Sequence, residues 1–271
     1  MTDFQAKIDA IFANSHSDDE RFRIAHRHEQ DAVDCIIDED FSAAQHHADI
    51  ASSMYDRMAE PMPMASPNRL FLDLAWAKIQ LSRAAGYRRA GDVDLAAKAF
   101  LAGENRLLKI RDAIFAAADT EHEELTFDWL STMGALQMNR GVLQSSEGDL
   151  DGALESWRSA EEVMFDGYVK QVGPNEDVVC AGKVINLWEN MMVAALEVGD
   201  VGTAVTSVSN AMKFYAYWPA HAMDHPETVV EALGAFFGAL EQLAPSHRQA
   251  LDAELPAPFI RMIDDILEDE D

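Results

Sequence analysis

Two cysteines in 271 residues, Cys35 and Cys180, stand far apart and outside any C-x-x-C spacing. A disulfide between them is the alternative to the expected state, two reduced core thiols, and neither has a neighbouring pattern that marks a nucleophile. Long apolar runs are also missing: nothing approaches the roughly 18–20 uninterrupted apolar residues of a spanning helix. Met1 to Gln5 (MTDFQ) lack the basic start and apolar run of a secretory leader, so a cytoplasmic location is expected. Period-two alternation and clusters of β-branched residues are absent, which argues against strands. No nucleotide-binding glycine loop, H-E-x-x-H or G-x-S-x-G occurs, and so neither a catalytic residue, a cofactor nor a resident metal is expected.

Bases are few. The chain carries 48 acidic and 21 basic side chains for a formal charge of −27. A field of that sign repels nucleic acid and anionic lipid, which leaves a protein or peptide as the expected partner, with a homo-oligomer compatible. With hydrophobic residues at 48% and charged residues at 25%, there is ample material for a core. Apolar residues recur at threes and fours. Leu95, Ala99, Leu107, Ile110 and Ile114 form one stripe, and Leu125, Trp129, Met133, Leu136 and Leu143 another. The chain reads as all α.

Breaks fall at Pro61, Pro63 and Pro67, at Gly173-Pro174-Asn175, between Pro219 and Pro226, at Ala244-Pro245-Ser246 and at Pro256-Ala257-Pro258. Between them lie helix pairs predicted over 17–38 with 41–60, 68–90 with 92–118, 121–147 with 149–170, and 176–198 with 201–217. The expected layout is a single all-helical repeat domain over 1–271. An N-terminal helix occupies 1–16, four hairpins occupy 17–218, and capping helices with an acidic tail occupy 219–271.

One spacing recurs. Asp92, Val93, Ala96, Phe100 and Gly103 stand at offsets 0, 1, 4, 8 and 11, matched by Asp149, Leu150, Ala153, Trp157 and Ala160 and by Asp200, Val201, Ala204, Val208 and Ala211. Asp40, Phe41, Ala44, Ala48 and Ala51 are a fainter copy, and Gly91, Gly148 and Gly199 precede the three stronger aspartates. Glycine tolerates the left-handed turn that ends one helix, and aspartate caps the next at about 1 kcal/mol. A small residue and then a bulky one let the two helices close on each other. Such a hairpin leaves an apolar flank for its neighbour to cover.

These residues resemble the tetratricopeptide repeat. Gly141 lies seven before Gly148, Tyr87 four before Gly91 and Trp188 eleven before Gly199, as that family's pattern has them. The resemblance covers roughly 28–218 and implies stacked antiparallel helical hairpins, an α-solenoid that binds a protein or peptide as an adaptor, co-chaperone or regulator. The spacing departs from the family. Turn aspartates 40, 92, 149 and 200 are separated by 52, 57 and 51 residues, against about 34 in the standard repeat. The helices must be longer, and a compact bundle of long hairpins is the competing architecture.

Charge reverses between Arg69 and Arg111, where nine bases and four acids give +5 in a chain of −27. If the first helix of each pair lines a concave face, Lys78, Arg88 and Arg89 look inward, with Arg83 on the same helix. These four are the candidate partner-binding residues, suited to a carboxylate or phosphate. Neutralising acidic neighbouring hairpins or the terminal DDILEDED is the alternative use of the same bases.

Histidine–carboxylate pairs at i, i+3 occur at His28/Asp31, His46/Asp49 and His26/Glu29. A hairpin turning near Asp38–Asp40 sets the first two at matching heights, although nine histidines among 48 acids also yield such spacings by chance. His221 and His225 share helical spacing, but Pro219 and Pro226 bracket them and a loop is expected; with Trp218 and Asp224 they are candidates for a binding mouth. Asp264-Asp265-x-x-Glu268 matches an isoprenoid-enzyme motif but sits at a chain end without a cavity. The favoured reading is a non-enzymatic binding protein. An all-helical enzyme or ligand sensor with a pocket between hairpins is the alternative, and a structural subunit of an oligomer the third.

Overall fold

The computed structural model describes residues 2–15, 17–117, 123–169, 178–217 and 227–268. Helices α1 (Thr2–Asn14), α2 (Asp18–Ile37), α3 (Phe41–Ala59), α4 (Pro67–Arg89), α5 (Val93–Ala117) and α6 (Glu123–Ser146) come first. Helix α7 (Leu150–Glu161) runs on as a π-helical segment, Glu162–Val169. Then follow α8 (Val178–Glu197), α9 (Val201–Tyr217), α10 (Glu227–Glu241), α11 (Pro245–Glu254) and α12 (Ala257–Glu268). No strand occurs among the described residues. The fold is all-α, with helices packed as hairpins against their sequential neighbours. No described helix is long and apolar enough to cross a membrane. The predicted loop at 173–175 lies outside the described residues.

All four predicted corners share one backbone geometry. Gly91, Gly148 and Gly199 have φ of 80°, 81° and 78°. The N–H groups of Asp92, Asp149 and Asp200 donate to carbonyls five residues back, on Tyr87, Gln144 and Ala195, at 2.8, 2.9 and 2.7 Å. The glycine N–H groups donate to Arg88, Ser145 and Leu196 at 3.1, 3.0 and 3.2 Å. This pair of bonds satisfies the last carbonyls of the outgoing helix. Each aspartate then accepts from the N–H three residues on, at Leu95 (3.2 Å), Gly152 (3.0 Å) and Thr203 (3.1 Å). At Asp200 the Thr203 hydroxyl also donates, and it holds the carboxyl below its ordinary pKa.

The faint copy folds alike without glycine. Glu39 takes the left-handed position at φ 61°, Asp40 N–H reaches Cys35 O at 2.9 Å, and Asp40 caps Ala43 at 3.0 Å. A side chain there costs about 1–2 kcal/mol. Glu39→Gly should therefore stabilise the protein by about 0.5–1 kcal/mol, after the added freedom of the unfolded chain is subtracted. A urea midpoint that stays put or falls would refute that account.

Two compact units divide the chain at Asn139/Arg140. In the first, α2 packs on α3, α3 on α4 and α4 on α5, with α1 laid against α3. Its core holds Ile8, Ala25, Ala48, Ile50, Met54, Tyr55, Met58 and Ile79. In the second, α8 packs on α7, α9 and α10 around buried Trp157, Trp188, Phe214 and Phe236. Glu161 accepts from Trp188 Nε1 (2.6 Å) and Asn210 Nδ2 (3.1 Å) and so joins α7, α8 and α9.

The repeated offsets are where helices meet. Ala44, Ala96, Ala153 and Ala204 are all buried, as are Ala48, Phe100, Trp157 and Val208 four residues on. Of the two sequence stripes every member is buried except Leu95, 37% exposed in the first turn of α5. Pro67 begins α4 instead of lying in the preceding loop, where its missing N–H costs nothing.

Candidate functional site

The basic segment does not gather into one patch. Lys78 and Arg83 are five residues apart on α4, about 140° around the helix at about 100° per residue. Lys78 Nζ bonds Asp128 Oδ2 on α6 at 3.1 Å. Arg83 turns to the opposite side, ion-pairs with Asp49 on α3 and donates to Gln80 Oε1 at 3.4 Å. Burial lowers its pKa from the usual guanidinium value. Arg89 donates to Ile36 O at 3.1 Å and thereby caps the end of α2. Arg88 is half-buried beside it. Arg69 and Arg106 both bond Asp73, at 3.0 and 2.7 Å. Of the four candidate residues, Lys78 is the one that borders the recess described next.

That recess is aromatic, and sequence inspection had not singled it out. Phe22 of α2, Tyr55 of α3 and Phe71 of α4 cluster, with Phe22 centroids 5.8 Å from Tyr55 and 5.3 Å from Phe71. Two adjoining hollows share Phe22 and Phe71. One, of about 270 Å³, is bounded by His26, Glu29, Tyr55, Leu74, Lys78 and Asp128. The other, of about 260 Å³, is bounded by Asp18, Asp19, Met58, Met62, Asn68 and Leu72. Phe71 remains 42% exposed. Tyr55 OH donates to Glu29 Oε2 at 3.1 Å, and His26 Nδ1 lies 3.2 Å from the same oxygen. Burial, then the Glu29 charge, push the tyrosine pKa well above its ordinary value, so it is a neutral donor. Phe22 and Phe71 both stand at the fifth position of their helices, α2 and α4, and nothing else in the sequence marks the recess.

The histidine pairs sort differently from their spacing. His28 Nδ1 of α2 lies 2.8 Å from His47 Nδ1 of α3, and His47 Nδ1 lies 3.4 Å from Asp31 Oδ2. Burial, then His47, depress the His28 pKa. His46 instead accepts from Lys7 Nζ of α1 at 2.9 Å, and Asp49 accepts from Gln45 at 2.7 Å and pairs with Arg83. The donor set is therefore His28, Asp31 and His47, not two parallel His/Asp pairs.

Asp264 accepts from Arg248 at 2.9 Å. Trp218, His221, Asp224 and His225 lie outside the described residues, as does the Cys180 side chain. Cys35 is a free thiol whose pKa burial and neighbouring aspartates raise, the opposite of an activated nucleophile. No protein-family model matches the chain, and no curated protein matches it either.

Proposed function

We propose that this chain is a non-enzymatic adaptor of the tetratricopeptide-like kind, which holds a protein or peptide segment along the first helices of its hairpins. The repeat-like character is supported by the four glycine- or glutamate-led corners, each capped by aspartate. The binding face is supported by one observation above others: Phe71 is 42% exposed and lines two hollows together with Phe22. Aromatic side chains that a partner buries in a pocket are frequent anchors of a recognition surface.

Lys78 gives the face its preference for an anionic group. Its pair with Asp128 is exposed on both sides, at 42% and 43%, and such pairs contribute only about 0–1 kcal/mol. A carboxylate on the partner can replace Asp128 at little cost. Arg88 and Arg89 stand apart at the far end of α4, where Arg89 caps α2, and Arg83 fastens α4 to α3. A small-ligand sensor is the second reading, favoured by the convergence of His26, Glu29, Tyr55 and Lys78 on a recess of about 270 Å³.

The test uses full-length wild type and Phe71→Glu as baits for native extract, at low and at high salt. A discrete set of proteins should be retained by wild type and reduced about tenfold or more by the substitution, with helicity unchanged. Lys78→Glu should weaken retention mainly at low salt. Equal retention by a folded Phe71→Glu protein would overturn the proposal, as would retention of no discrete set by wild type.

A further inference from the structure

We propose that His28, Asp31 and His47 form a binding site for one divalent transition ion of the zinc class. Each offers one ligand atom, and the three atoms lie within 4.8 Å of one another. Zinc–nitrogen and zinc–oxygen bonds of about 2.0–2.2 Å set tetrahedral ligand edges at about 3.3 Å. The His47–Asp31 edge is already 3.4 Å, and the His28–His47 edge, 2.8 Å, must open by about half an ångström. Side-chain torsions supply a shift of that size, and the third edge, His28–Asp31, lies within 4.8 Å.

In the metal-free protein the two Nδ1 atoms face each other, so one ring must keep a proton there to donate to the other. An ion takes both lone pairs. The shared proton then moves to Nε2 through solvent, and both rings bind as neutral Nε2–H tautomers. Two imidazoles and one carboxylate suit zinc, cobalt, nickel or copper, whereas calcium and magnesium demand a fuller set of oxygens. The fourth position is left to water, because His47 and Asp31 are 26% and 41% exposed.

The scaffold favours the site. His28 and Asp31 lie one turn apart on α2, and His47 comes from α3, whose register is fixed by the corner at Glu39–Asp40. A bound ion would clamp the two helices together. The Lys7 ammonium, bonded to His46 at 2.9 Å, opposes a cation nearby. Asp31 offsets it directly.

Calorimetric titration of the metal-free, full-length chain with zinc(II) tests this, with cobalt(II) as the spectroscopic probe. One equivalent should bind, and cobalt should give the visible absorption of a four-coordinate nitrogen–oxygen site. His28→Ala and His47→Ala should each weaken binding by more than about tenfold, and Asp31→Asn by a smaller factor. His46→Ala should preserve the stoichiometry. Helical circular dichroism checks that each variant folds, and Asp31→Asn, which keeps its shape, tests the site if an alanine variant does not. Binding no tighter than millimolar would overturn the site. Affinity indifferent to His28, Asp31 and His47 would also overturn it, exposing surface histidine binding only.

Discussion

Asp73→Ala is expected to destabilise the first unit by about 3–5 kcal/mol, because it strands two arginines against a carboxylate that is no longer there. Asp73 is 1% exposed on α4. It accepts from Arg69 Nε at 3.0 Å and Arg106 Nε at 2.7 Å. Arg69 also donates to Ala59 O at the end of α3. Arg106 of α5 reaches Asp56 at 2.9 Å and lies over the Trp76 ring at 4.9 Å, and Trp76 Nε1 donates to Asp56 at 3.1 Å. Three helices are thus fastened through one buried acid. Urea unfolding should show the loss, and a change under 1 kcal/mol would mean that the arginines find water or Asp56 instead. Replacing Asp73, Arg69 and Arg106 together by apolar residues of similar volume should recover much of the stability, since the cost lies in the unpaired charge.

Gly141→Ala should cost about 3 kcal/mol in the second unit, at or beyond the upper end for overpacking by a single methyl group. A Cβ at 141 would land against Nε1 and Cδ1 of the Trp157 indole, with Cε2 at 2.8 Å. Trp157 is 2% exposed and cannot swing away. Gly103 offers the contrast: its nearest obstacles are the Leu136 methyls at 2.9 and 3.0 Å, on a side chain that can shift. Gly148 has nothing within 4 Å, so alanine there meets only the backbone penalty of φ 81°, about 1–2 kcal/mol. Thermal unfolding should rank the three with Gly141→Ala lowest, and Trp157→Leu should relieve that variant. If Gly148→Ala proved as damaging, contact with the indole would not be the cause.

The candidate sites show how far the sequence could be read. The excess of bases between 69 and 111 was visible from composition, but their use was not. Arg83, Arg89 and Arg106 turn to Asp49, Ile36 O and Asp56 on neighbouring helices, while Arg69 meets Asp73 one turn along its own helix. Spacing rightly paired His28 with Asp31, yet offered His46/Asp49 as the matching pair on α3. His47 takes that place because the rotation of α3 about its axis turns His46 toward Lys7. Phe22 and Phe71 passed as ordinary apolar residues, since their exposure depends on how α2 and α4 lie against α3.

Local chemistry wrote the corners. A left-handed residue, an aspartate cap and a small residue four later act within a dozen positions, so helix ends and hairpin order follow from the chain alone. The distance between corners sets the combined length of two helices and the loop that joins them. Tertiary packing decided which side chains meet across helices. Each residue step turns a side chain by about 100°, so a partner several helices away is chosen by helix rotation and axial shift. The aromatic recess, the Asp73 network and the His28–Asp31–His47 cluster all belong to that second kind.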